Sequence, residues 1–428
     1  MPEVRRIVDW STGFSSISII SVIPLLALIP LAVLFIYSGA VTRLPRALKV
    51  SSWLWLGAFG PALVVGIGMG NGSAALYEFL TFALPPSLGS WLATQDLRMG
   101  DVYERIAGFL LWLSIPICIY GAWQFAAPPP WDADWMRHVN MSSIGQPLPY
   151  QLRPFSTLNS PGPFADFLTA AIIFNLPRLR ATRPLDLVAF ALCIATLVLT
   201  MVRSNWIALI VAVLCYLSLT PMRGRNLMVM AAACGLCAAV VVNASVLLGS
   251  DAAGTDIGKR FSTFTDIGRD QSLRDRYQLL LGSLQTGLDQ PTGGGLGMLG
   301  TAAKLGDAGQ TIVFDNGYLA RFIELGYFGF ACYLATLAAG VLFAYRRWGE
   351  LRRAGSPYAS VAAAGIALQL ALAWLDVSSD HHNGLLGIFF WLSLAFLSGR
   401  GIGERERASP SSSAQQPSRR WLALPTNE

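Results

Sequence analysis

Arg260, Arg269, Arg274 and Arg276 place four guanidinium groups within 17 residues of one polar stretch, and Arg153 and Arg203 add two more beside short polar turns. A guanidinium is a planar, permanently charged fork that can pair with phosphate oxygens two bonds at a time. The set therefore reads as a site for an anionic, phosphate-bearing ligand at the membrane face, with ion pairs to Asp266, Asp270 and Asp275 as the competing account. Arg203 lies in Met201-Val-Arg-Ser-Asn-Trp206, between two apolar stretches. An arginine near membrane depth is costly, so it either faces a cavity or partner or snorkels to the interface. Arg153 opens the rigid polar turn Arg153-Pro-Phe-Ser-Thr-Leu-Asn-Ser-Pro-Gly162, which carries Asn159. Asp315, in Phe314-Asp-Asn-Gly-Tyr-Leu319, sets one carboxylate where the long polar stretch gives way to an apolar one. It can take a proton from a hydroxyl, or orient it, or cap the following helix.

Count and spacing exclude other chemistries. Histidine occurs only at 138, 381 and 382, and there is no zinc-ligand spacing, H-E-x-x-H, Walker A or G-x-S-x-G, so neither metal nor cofactor is expected. His381 and His382 sit in Asp376-Val-Ser-Ser-Asp-His-His-Asn383, which reads as a solvated loop. Gly295, Gly297 and Gly300 match G-x-G-x-x-G. No preceding strand accompanies them, so the run reads as a close backbone approach to a ligand or as a plain turn.

The elements that must position these residues follow from composition. The chain has 428 residues, 54% hydrophobic and 13% charged, against roughly 25% charged in soluble domains. That excludes a water-soluble globule. Long apolar stretches lie near 16–38, 51–70, 73–94, 106–127, 161–177, 185–202, 205–220, 227–249, 317–345, 358–377 and 384–399. The expected fold is an all-α, polytopic transmembrane bundle over residues 1–400, of about 11–12 spans, with the stretch holding Pro85 and Pro86 the weakest. The first stretch runs too long for a cleaved signal and reads as a retained span.

Most of the 31 Lys and Arg fall in alternate loops that the positive-inside rule makes cytoplasmic. None forms a basic stripe with interleaved aromatics, which excludes nucleic acid as a partner. An odd number of spans puts the amino terminus outside, whereas Arg5 and Arg6 favour the inside. Two outside loops exceed mere connectors. The shorter, about 128–160, carries Trp131 and Trp135, residues that settle at an interface; the longer, about 250–316, is an extracytoplasmic subdomain. Within the latter, Ser272 to Leu288 reads as an amphipathic helix with Ser272 as its cap, followed by Pro291. The tail, 401–428, is Ser-, Pro- and Gln-rich and is expected to be disordered in the cytoplasm. All six cysteines lie in apolar stretches, so no disulfide framework is expected, and Cys234-x-x-Cys237 reads as small-residue packing.

The Arg153 turn, Arg203-Ser-Asn-Trp206, the Arg-bearing helix before Pro291 and Gly293-Gly-Gly-Leu-Gly297, and Asp315-Asn-Gly-Tyr-Leu319 with Glu324-Leu-Gly-Tyr-Phe-Gly329 stand in an order that resembles the O-antigen ligase and Wzy-type polymerase superfamily. The resemblance spans roughly residues 150–345. It implies a metal-independent glycosyltransferase of a bacterial inner membrane, whose donor is an oligosaccharide on undecaprenyl diphosphate. By motif, Arg203 and Arg276 would hold the diphosphate and Asp315 would act on the acceptor hydroxyl. Arg153, Arg260, Arg274, Asn159, Asn316 and Arg321 would complete the substrate-binding set. Membrane lipids, a chain-length regulator and a flippase are the implied partners. The ligases usually carry His where this chain has Asp315, which favours a polymerase of repeat units over a ligase. A solute transporter is the reading from another class; against it, Glu78 is the clearest mid-span acid and has no paired relay.

Overall fold

The computed structural model describes residues 2–14, 26, 43–139, 144–181, 184–220, 271–300, 302–305, 316–378 and 385–399. The expected spans at 16–38 and 227–249, the residues Arg260 and Asp315, the His381-His382 pair and the tail lie outside them, as do the side chains of Arg274 and Arg276. Among the described residues the protein is helical: α1 (Pro2–Thr12), α2 (Arg46–Gly68), α3 (Gly72–Thr94), α4 (Met99–Ala126), α5 (Pro130–Val139), α6 (Pro161–Asn175), α7 (Pro184–Leu199), α8 (Arg203–Leu219), α9 (Gln271–Asp289), α10 (Gly317–Arg353), α11 (Ala359–Leu375) and α12 (Leu385–Ser398). By length and composition α2, α4 and α10 can each cross a membrane, while α7, α8, α11 and α12 are shorter apolar helices. The all-α polytopic expectation holds.

The elements follow local chemistry. Pro161 and Pro184 open α6 and α7, where a missing N–H leaves no helical bond unmade. Pro85 and Pro86 do not end α3, which runs unbroken from Gly72 to Thr94. Lipid offers stray backbone groups no partner, so a helix that packs on its neighbours is retained through prolines. Here α3 lies so close to α12 that Gly89 faces the Trp391 backbone.

Helices α6 and α11 are buried on nearly all sides and form the centre of the bundle. Around them Phe164, Phe174, Phe389, Phe396 and Tyr103 interlock with side chains of α4, α7, α8 and α12. A second apolar cluster joins α2, α3 and α10 through Phe59, Phe82 and Tyr333. The outer surface is also apolar: Trp53, Val64, Phe109, Leu214 and Phe328 are exposed. A soluble protein would not present so many, and a lipid-facing one does. At the end assigned to the cytoplasm, Arg178 ties the starts of α4 and α7 together through Glu104 at 2.9 Å and Asp186 at 3.4 Å.

Helix α10 is broken at Gly326, whose φ of 66° and ψ of −173° only glycine adopts readily. The break admits the Gly-rich segment. The amides of Gly294 and Gly295 donate to the Ile323 and Glu324 carbonyls at 2.8 and 3.1 Å, and Tyr327 N donates to Pro291 O at 3.0 Å. A Cβ at 326 would stand 2.5 Å from Gly293 N and Pro291 O. Gly326→Ala is therefore expected to destabilise the protein by about 3 kcal/mol from backbone strain and overlap together. Thermal unfolding in detergent checks this; an unchanged midpoint would contradict it.

Candidate functional site

The turn carrying Arg153 and the turn carrying Arg203 come together. Arg153 reaches from the 150–160 segment to the carboxy-terminal end of α7, where its Nε donates to Thr200 O at 2.8 Å and its Nη2 to Met201 O at 3.3 Å. Those carbonyls follow directly on the last turn of α7, whose negative end is the usual seat of a cation. Arg203 follows two residues later as the first residue of α8. A positive side chain there opposes the positive end of the helix dipole, an arrangement that adds to the attraction for an anion. The rest of this motif ties helices together. Asn205 is fully buried and donates to Asp166 Oδ1 at 2.8 Å and Thr169 Oγ1 at 3.2 Å of α6. Trp206 Nε1 donates to Leu197 O at 3.2 Å. Asn159 is exposed on the turn.

Strain marks the same place. The non-glycine residues with positive φ among those described are Tyr150, Ser156 and Met201, at 60°, 50° and 54°. All three flank Arg153 or Arg203, and such conformations persist only where surrounding structure imposes them.

At the mouth of α10, Asn316 Oδ1 accepts from Leu319 N at 3.1 Å and caps the helix. Gly317 N donates to Asp376 O at 2.8 Å, and the buried Asp376 carboxylate accepts from Tyr333 OH at 2.9 Å. The 376–383 segment, read as a solvated loop, thus begins as a buried strut beside the Asp315 motif. Helix α11 packs on both α8 and α10.

Four features singled out in the sequence are set against other parts of the protein. Glu78 is not an isolated mid-span acid: it lies in the second turn of α3, and Arg321 Nη1 approaches its Oε1 at 3.2 Å. Arg321, expected among the substrate contacts, is 3% exposed, reaches Glu324 Oε2 at 2.7 Å and lies 4.5 Å from the centre of the Phe82 ring. Asn316, also expected there, spends its side chain on the cap. The Gly-rich run approaches the protein's own helices rather than a ligand. Gly297 N donates to Glu78 Oε2 at 2.6 Å, Leu299 N to Glu324 Oε1 at 3.2 Å and Leu296 N to Ala62 O at 3.0 Å. The pairing of Glu78 with Arg321, 243 residues away, has no signal in the sequence beyond the rarity of acids in apolar helices.

Arg321→Ala would leave two buried carboxylates without their cation and is expected to cost about 3–5 kcal/mol. Adding Glu78→Gln and Glu324→Gln should recover most of it, as read by detergent melting. A single variant as stable as wild type would refute the structural role.

Helix α9 runs where an amphipathic helix was expected and exposes Leu281, Leu284 and Leu288, but it starts at Gln271, so Ser272 lies inside its first turn rather than capping it. Its far end is joined to α10 where Tyr327 OH donates to Leu288 O at 2.7 Å. Arg274 and Arg276 lie in its first two turns.

Residues 188–334 match the family model Wzy_C, described as O-Antigen ligase. That segment begins in α7, includes Arg203 and α9, and ends within α10. The resemblance to O-antigen ligases and Wzy-type polymerases is thereby shown over these residues, and the class it supports is a multi-pass membrane enzyme of glycosyl transfer. Comparison with curated proteins finds no match to the chain.

Proposed function

We propose, with the O-antigen ligase match over residues 188–334 as the premise, that the chain polymerises oligosaccharide repeat units carried on undecaprenyl diphosphate at the outer face of a bacterial inner membrane. The observation that carries the proposal is the clamp of Arg153 on Thr200 and Met201, which sets two motif arginines at one end of the bundle. In this reading Arg203 and Arg276 take the diphosphate, with Arg153, Arg260 and Arg274 around it, Asn159 on the sugar and Asp315 on the acceptor.

The step balances without an added reactant. The oxygen of an acceptor hydroxyl bonds to the anomeric carbon, and the carbon–oxygen bond to the diphosphate breaks. The electron pair leaves on the diphosphate, and the hydroxyl proton passes to the Asp315 carboxylate and then to water. Diphosphate is a good leaving group, so the protein has chiefly to position the hydroxyl and stabilise the developing negative charge. A chain-length regulator and a flippase are the partners such a reaction needs.

The description of the family model also supports a ligase, which would pass finished polymer to a lipid acceptor. A strain lacking this protein separates the two. Single repeats on the lipid carrier are expected for a lost polymerase; long polymer left unattached would assign the ligase.

A further inference from the structure

We propose that α1 is a lipid-interface helix that positions the Arg153 turn, with Arg6 as the positioning residue; this rests on the reading of Arg153 and Arg203 as diphosphate ligands. In α1, Val4, Ile7 and Val8 fall on one face, and Glu3, Arg6 and Asp9 on another. A surface helix of a soluble protein turns the apolar face inward. This one does the reverse: Val4, Ile7, Val8 and Trp10 are exposed, whereas Arg6 is 1% and Asp9 6% exposed. The outward face needs an apolar neighbour, and the bilayer around α4 is continuous with it. Trp10 packs edge-on against Trp131 at 6.2 Å, and Trp131 against Trp123 at 6.2 Å, in the last turn of α4. Tryptophans at the end of a spanning helix settle at headgroup level, which sets the depth of α1.

The inward face grips the turn. The Arg6 guanidinium donates to the carbonyls of Ser156 and Leu158 and pairs with Glu3, while its Nε approaches Asp132 Oδ1 of α5 at 2.7 Å. It also lies 4.8 Å from the Phe155 ring centre and 5.7 Å from that of Trp135. From the opposite side, Gln124 Oε1 of α4 accepts from both Phe155 N and Ser156 N at 2.8 Å. Ser156, with its positive φ, is thus held between α1 and α4, three residues from Arg153. Burial pushes the Asp132 carboxyl up from its ordinary value, and the Arg6 guanidinium draws it back. Removing Arg6 would leave that acid and two carbonyls without a cation, and the strained turn without one of its two restraints.

This placement puts the amino terminus on the same side as the 128–160 segment. Arg5 and Arg6 do not hold it inside, because Asp9 and Asp132 take them up and α1 packs on the 128–160 loop.

The test uses the full chain in nanodiscs, as wild type, Arg6→Ala and Arg6→Lys. Amide exchange over 153–160 is expected to quicken at least tenfold in Arg6→Ala and less in Arg6→Lys, and affinity for undecaprenyl diphosphate to weaken roughly ten- to hundredfold in the same order. Unchanged exchange in either variant overturns the positioning role whatever the affinity does. Should Arg6→Ala fail to fold, Arg6→Lys decides it alone. Faster exchange with unchanged affinity, or a wild type that does not bind the probe, overturns the diphosphate reading and leaves the restraint standing. For the lipid face, a spin label at Val4→Cys, corrected for labelling of the native cysteines, is expected to be more accessible to oxygen than to a nickel chelate. The opposite order overturns the interface assignment.

Discussion

Arg203→Ala is expected to lower polymer formation by about 10²–10³-fold while the protein still inserts. The loss is large because, in the proposed reaction, charge develops on the diphosphate as its bond to sugar breaks, and Arg203, the first residue of α8, would stabilise that charge. Arg203→Lys keeps the charge but loses the two-pronged fork, so an intermediate loss is expected. Arg276→Ala should behave as Arg203→Ala does if both face one diphosphate. Normal-length polymer in cells carrying either alanine variant would remove these residues from the site. Mass-spectrometric profiling of lipid-linked saccharides, with membrane levels of each variant measured alongside, gives the answer.

Asp315→Asn is expected to reduce turnover by about 10²–10⁴-fold with affinity for undecaprenyl diphosphate unchanged, the pattern of a lost proton acceptor. Asn316 caps α10, so circular dichroism of the variant separates a lost proton acceptor from helix fraying. Asp315→His should retain part of the activity, because imidazole also accepts a proton near neutral pH. Near-normal turnover for Asp315→Asn would confine the reaction's chemistry to the arginines.

The bundle is legible in the sequence because each apolar stretch must bury its own backbone bonds in lipid, so hydropathy and helix coincide. The stretch with Pro85 and Pro86 shows how far this holds: local propensity argues for a break, and packing against α12 keeps the helix whole. Motif arginines are equally legible, since charge is rare in such a chain and its cost singles it out.

Partners are a different matter. Arg153 and Arg203 are both visible as residues, but only tertiary structure brings the first onto the carbonyls beside the second. Arg321 looks like another substrate arginine until the fold sets Glu78 and Glu324 against it. The glycines look like a ligand cradle until Gly326 breaks α10 and admits them. Arg6 counts toward one side of the membrane until Asp132 takes it up. The class of fold, most of the apolar helices and the supply of charged groups were legible along the chain because they depend on near neighbours, whereas α1 and α5 were not. Which distant groups pair with which buried charges was decided by the tertiary structure, because a buried charge is settled by whatever group the fold brings within reach.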